Sequence, residues 1–324
     1  MAEISAQLVK QLRDRTGAGM MECKKALVEA NGDLEAAEVV LRKRGIAGAT
    51  KKESRSTKQG LVSAFISEDG KLGVLVEVNC ESDFVARTED FQALAAEVAA
   101  HIAETKPKLV KLEDVTEAER ANFKEHEALY TQKLKSADTT VGEMVKTKIA
   151  KLGENINVSR FVIFELEGAG SIGHYIHAGA QIGVLLEVST AKAEVTEQDE
   201  FKTLVRDVAM QVAAAHPQYL SKEDVPAELL KKERDIQRER ALTEGKPEKM
   251  VDKIAEGRMS KFYEEVCLLE QPFIKENTVS ISELLKTASG KMGGAIKVVR
   301  FTRYKVGDAG DVAGVQESPL PVTA

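Results

Sequence analysis

The sequence predicts an α+β protein. The expected order is an N-terminal three-helix module, two duplicated subdomains with antiparallel sheets and helices, and an antiparallel helical hairpin projecting from the second. Three observations predict this. Residues 4–45 carry helix-period apolar positions with caps. A strand-like run, GVLVEV at Gly73–Val78, recurs as GVLLEV at Gly183–Val188, a shift of 110. A very polar helical tract near Ala227–Val266 is broken midway by Glu244–Pro247, EGKP.

Taken in order, Ser5 is positioned to cap a first helix with Leu8, Val9 and Leu12 inward, and Thr16–Gly19 (TGAG) ends it. A second helix runs from about Met20 to Ala30 over Cys23, Ala26 and Leu27 and stops at Asn31-Gly32. Asp33 caps a third with Leu34, Ala37, Val40 and Leu41 inward and Gly45 as its C-terminal stop. The module is set at residues 1–46, and the small, basic stretch 47–59 reads as a linker.

The shift of 110 runs without gaps from Gly60–Pro107 onto Gly170–Pro217, laying Phe91, Leu94, Val98 and Ala99 over Phe201, Leu204, Val208 and Ala209. A second match, at a shift of 140, lays Val141–Leu166 over Ile281–Val306 and pairs Glu143 with Glu283 and Arg160-Phe161 with Arg300-Phe301. A repeat this long is no solenoid unit; it implies two α+β subdomains, 60–167 and 168–306. The second holds about 30 extra residues by the difference in shift, which supply the hairpin at about 222–269. The first has its own helical tract at about Glu113–Lys151, and 307–324 reads as a disordered tail.

The duplication isolates one segment. After GVLVEV comes NCESDFVART, and after GVLLEV comes STAKAEVTEQ, although strand and helix on either side match. A residue needed only to end the strand or start the helix should recur in both copies. Thr88 can cap the next helix, which leaves Asp83 and Phe84 without a structural duty. A phenylalanine packed back on its own sheet is the plain alternative; a contact displayed on a rigid scaffold is the functional one.

Composition narrows the function classes. The chain has 324 residues, 43% hydrophobic and 30% charged, enough for two or three domains with cores. With 46 basic and 52 acidic residues the net charge is −6, which argues against a grip on nucleic-acid phosphates as the main task. Three scattered cysteines without metal spacing indicate reduced thiols, and no segment has a signal core or a membrane-spanning length, so a cytoplasmic protein is expected.

A family resemblance rests on Ser5–Asp33, SAQLVKQLRDRTGAGMMECKKALVEANGD, on EVNCESDFVA at the strand tip (Glu77–Ala86), on LGENI at Leu152–Ile156, and on EGRM.KF at Glu256–Phe262. Together these resemble the bacterial elongation factor Ts family over residues 1 to about 306. The family motif is usually Thr-Asp-Phe-Val, and here it is Ser82-Asp83-Phe84-Val85, one hydroxyl exchanged for another. The resemblance implies a translation factor that binds the GDP-bound form of elongation factor Tu, dislocates its Mg²⁺ and promotes GDP release so that GTP can bind. It implies no cofactor and no bond-breaking chemistry. It also implies that Ser82, Asp83, Phe84 and Val85 enter beside the Mg²⁺ site of the GTPase. Met20, Met21 and His177 would be further partner contacts, and the N-terminal module would be ubiquitin-associated-like. An adaptor that binds the GTPase without exchange is the alternative. Neither nucleic acid nor membrane is an expected partner, and the stoichiometry stays open, a 2:2 assembly included.

Two enzyme readings fail at the residue level. Cys80 with His101, His174 or His177 has no nucleophile signature around it. His174 and His177 lie three apart in a strand, so they face opposite sides, and no carboxylate or cysteine completes a metal set. Gly17–Gly19 lacks the Lys-Ser/Thr of a phosphate loop.

Overall fold

In the computed structural model, residues 4–135 and 137–308 are described, so the expected tail beyond Asp308 lies outside them. They form a mixed helix-and-sheet protein whose sheets are small, with two of three strands and one of two. The chain divides into two compact units. One takes the residues up to Phe65, Val74–Ile163 and Gly179–Gln181; the other takes Ile66–Gly73, Phe164–Ala178 and the chain from Ile182.

The first unit begins with α1 (Ala6–Thr16), α2 (Met20–Glu29) and α3 (Leu34–Thr50). Ser5 Oγ accepts from the Leu8 N–H at 3.2 Å, Gly17 closes α1 in the left-handed region (φ 68°), and Asp33 Oδ1 accepts from the Ala36 N–H at 2.8 Å. Val9, Leu12, Cys23, Ala26, Leu27 and Ala37 form the buried core. Gly45 is not the stop the sequence suggested, since α3 continues to Thr50. A Cβ at Gly45 would stand 2.9 Å from the Ala150 Cβ, so this glycine lets two helices approach closely inside the helix rather than ending it.

Next come β1 (Gln59–Ile66), β2 (Leu72–Cys80), the one-turn α4 (Asp83–Ala86) and α5 (Glu89–Thr105). The Glu113–Lys151 tract is not one helix. It contains a short α6 (Glu117–Arg120) and isolated 3₁₀ turns before α7 (Val141–Leu152). Asp114, Glu119 and Glu127 each turn back to accept the backbone N–H three residues earlier, closing single turns that no apolar stripe extends. Strand β3 (Ile156–Glu165) completes a sheet of order β1-β2-β3. Every residue of β2 from Gly73 to Cys80 is buried, and α5 turns Phe91, Leu94, Val98, Ala99 and Ile102 inward.

The second unit holds β4 (Gly170–Ile176), β5 (Ile182–Thr190) and α8 (Asp199–Ala215). Helices α9 (Ala227–Thr243) and α10 (Glu248–Val266) follow, then β6 (Pro272–Phe273), β7 (Glu276–Ser280), α11 (Ile281–Met292) and β8 (Ile296–Lys305). Strand β5 pairs antiparallel with β4, Gly170 opposite Ser189, and with β8, where a bulge falls between Glu187 and Val188. Helices α9 and α10 form the expected hairpin across Glu244–Pro247. Arg238–Asp252 and Arg258–Glu244, both at 2.6 Å, tie it together over a seam of Ala241, Val251, Ala255 and Met259.

Both units use the same local devices. Capping boxes start α7 (Thr140, Glu143) and α11 (Ser280, Glu283), and Gly153 and Gly293 end those helices in the left-handed region. A carboxylate inside each sheet meets an arginine one strand over: Glu77 with Arg160 at 2.8 Å, and Glu187 with Arg300 at 2.7 Å.

Candidate functional site

The buried strand β2 delivers its C-terminal end at Cys80, and the chain turns at Glu81 and Ser82 into α4. Ser82 caps α4, its Oγ accepting from the Val85 N–H at 3.4 Å. Thr88 then caps α5 by accepting from the Phe91 N–H at 3.3 Å, while its own hydroxyl donates to the Val85 carbonyl at 2.8 Å. The tip is therefore a single helical turn held at both ends by side-chain oxygens.

On that turn Ala86 faces inward and Phe84 faces outward. Phe84 is 81% exposed, the most open large hydrophobic residue among those described. Asp83 pairs with Arg87 at 3.0 Å, one turn along. Val85 and Ser82 are half-buried. The inward-packed phenylalanine is thus excluded, and the acid and the ring stand together at the surface.

The root of the tip is held by Glu154, which directly follows Gly153 at the end of α7. Its Oε2 accepts from the backbone N–H of Glu81 at 3.1 Å and of Ser82 at 2.9 Å, and its Oε1 accepts from the Ser82 hydroxyl at 2.6 Å. In return Glu81 Oε1 accepts from the Asn155 N–H at 2.7 Å. That bond, with help from Arg55, holds the Glu81 carboxyl below its ordinary pKa. The sequence reading assigns Glu154 no role; the signal that marks it is the shift of 140, which sets it against Gly294.

Cys80 is buried, and its thiol donates to the Ser82 carbonyl at 3.1 Å. Burial, then the Glu154 carboxylate, pushes this thiol up to about 12, so the protonated form is favoured near neutral pH. His101 is buried and engages Gln132 at 3.1 Å. No group of three or more His, Cys, Asp or Glu suited to hold a metal exists among the described residues.

Met20 and Met21 open α2 and are 46% and 65% exposed. They belong to the same unit as the tip, whereas His177 lies in the other unit. His177 is exposed just past β4, its Nδ1 3.2 Å from the Tyr175 hydroxyl. The fourfold tip and the two methionines are each contiguous in sequence; His177 stands by itself.

The family model described as Elongation factor TS matches residues 81–308. Among curated relatives, the elongation factor Ts of Symbiobacterium thermophilum is 42% identical over 308 residues, 95% of this chain and 93% of the relative. That of Clostridium acetobutylicum is 44% identical over 305 residues, 94% of this chain and 93% of the relative. That of Aquifex aeolicus is 44% identical over 304 residues, 94% of this chain and 98% of the relative. Matched over most of its length at this identity, the chain belongs to the elongation factor Ts family.

Proposed function

We propose that the chain is a cytoplasmic translation factor that acts as the guanine nucleotide exchange factor of elongation factor Tu, with Ser82–Val85 as its working tip. The observation that carries this reading is Phe84, 81% exposed on a capped turn rooted in a buried strand. Leaving a large ring in water has no benefit for the isolated chain. In a complex, burying it contributes about 1.5–3 kcal/mol.

A P-loop GTPase holds its nucleotide through backbone donors, a lysine and Mg²⁺ around the phosphates. A rigid aromatic ring entering beside the metal site stabilises an opened pocket, and the Asp83 carboxylate competes for the donors and the metal that the phosphates use. Factor and nucleotide then weaken each other reciprocally, typically by about 5–150-fold in affinity. The factor breaks no bond and leaves the final GDP/GTP balance to cellular supply.

In this reading the two sheet-and-helix halves, 60–167 and 168–306, are copies of one unit, and only the first carries a working tip. The three-helix module is ubiquitin-associated-like and docks on the GTPase through Met20 and Met21, whose flexible thioethers suit an adaptable contact. His177 adds a further contact.

Stopped-flow release of fluorescent GDP from elongation factor Tu tests the reading. Wild type should accelerate release, and Phe84→Ala should lose about 10–100-fold of that acceleration, the equivalent of the ring's burial, while still forming the complex. An unchanged rate in the variant removes Phe84 from the mechanism. A wild type that binds without accelerating release returns the adaptor reading.

A further inference from the structure

The LGENI segment, Leu152–Ile156, marks the family resemblance without having a task in the exchange reading. We propose that Glu154 within it is the positioning residue of the Asp83–Phe84 prong, holding the root of the tip rigid so that the ring arrives already ordered. This inference rests on the exchange reading for its consequence, but its geometry is independent of it.

Three donors converge on one carboxylate: two successive backbone N–H groups, from Glu81 and Ser82, and the Ser82 hydroxyl, all at 2.6–3.1 Å. These are the donors at the turn between strand and prong, the point about which the prong would otherwise swing. Glu154 is itself anchored on both sides. Gly153 before it donates to the Ile149 carbonyl at 3.0 Å. Asn155 after it is buried and donates its side-chain amide to the carbonyls of Glu53 and Arg55. The Glu81–Asn155 bond at 2.7 Å makes the clasp reciprocal.

The other unit shows that the turn does not need this carboxylate in order to form. At a shift of 140 the residue is Gly294, and the turn after β5 is tied there by a backbone bond from Ala191 to the Ala295 carbonyl at 3.0 Å. Its Lys192 makes no side-chain cap, and a 3₁₀ turn, Ala193–Val195, forms all the same. A clasp present only beneath the turn that displays a phenylalanine serves the display. A prong that is loose before binding must be ordered during binding, and the ordering cost subtracts from the energy available to open the partner.

The test combines two measurements on the full chain, amide hydrogen exchange of the free protein and GDP release from elongation factor Tu titrated with factor. Glu154→Ala should speed exchange at residues 81–85 about tenfold, in line with lost charge-assisted hydrogen bonds. It should lower the maximal release rate about tenfold while moving the half-saturating concentration less than about twofold. Glu154→Gln should restore both to within about threefold, because the amide oxygen can accept both N–H groups and the amide nitrogen can donate to Ser82 Oγ. Glu154→Asp keeps the charge but loses reach, and should resemble the alanine variant.

Unchanged exchange at 81–85 in Glu154→Ala overturns the proposal, as does a loosened tip with an unchanged maximal rate. If Glu154→Ala does not fold by circular dichroism, Ser82→Ala removes one arm of the clasp, and an unaltered maximal rate there overturns it equally. A wild type that fails to accelerate release overturns the exchange reading instead, and the exchange pattern at 81–85 still decides whether Glu154 holds the tip.

Discussion

The turn after β2 and the turn after β5 solve the same local problem with different surfaces. Each ends a buried strand, makes one short helical turn and starts a 17-residue helix. At a shift of 110, half-buried Val85 meets buried Val195, and exposed Phe84 meets exposed Glu194. The scaffold therefore assigns that position to water, and a glutamate satisfies it. A phenylalanine exposed there is an addition the fold did not require, which sets it apart from a packing residue.

The comparison predicts equal behaviour where the two units share devices and unequal behaviour where they do not. Phe91 and Phe201, both fully buried, should give the largest effect: each alanine variant is expected to cost about 3–5 kcal/mol in denaturant unfolding. A loss under about 1 kcal/mol in either would break the equivalence of the two helices. Next come the arginines across each sheet. Arg160→Ala leaves Glu77, 3% exposed, buried without its guanidinium and should cost about 3 kcal/mol, at the low end for a broken buried pair. Arg300 is 39% exposed, so Arg300→Ala should cost less by the same assay.

Smaller effects sharpen the contrast. Thr88 caps α5 through its side chain, whereas Gln198 makes no such bond at α8. Thr88→Ala should cost about 1 kcal/mol and Gln198→Thr should gain a fraction of that, both read from thermal melting. The smallest effect concerns Cys80. Because burial raises its pKa, the neutral thiol is the native form through neutral pH, and the thiolate gains population only as pH climbs toward about 12. Iodoacetamide at pH 8 should leave Cys80 unmodified in the folded chain, by peptide mass, and GDP release unaltered; rapid alkylation would show that the strand end opens.

Much of this was legible locally. Ser5, Asp33, Thr140 and Ser280 sit directly before apolar-periodic runs, with Glu three residues on in two cases, and each caps a helix through the bond its chemistry favours. The hairpin break at Glu244–Pro247 followed from Gly and Pro together. Two readings failed because composition stood in for packing. The Glu- and Lys-rich stretch before Val141 has helix-forming residues but no face to bury, so it closes only single turns. Gly45 has the composition of a stop, yet it sits in a helix interior against Ala150.

The candidate site divides in the same way. Asp83 and Phe84 stood out because the similar stretches GVLVEV and GVLLEV are followed by unlike residues before similar helices, a contrast written in the sequence. The hold of Glu154 on that tip was not legible, because its partners are more than 70 residues away along the chain.

What the sequence alone determined is most of the helices and their caps, since a cap or a helical turn depends on neighbours within about four positions. Tertiary structure decided that the Phe84 ring faces water, that Gly45 admits another helix and that a distant carboxylate grips the turn at Ser82. Those are distances between segments remote in the chain, and only the packed cores beneath them fix such distances.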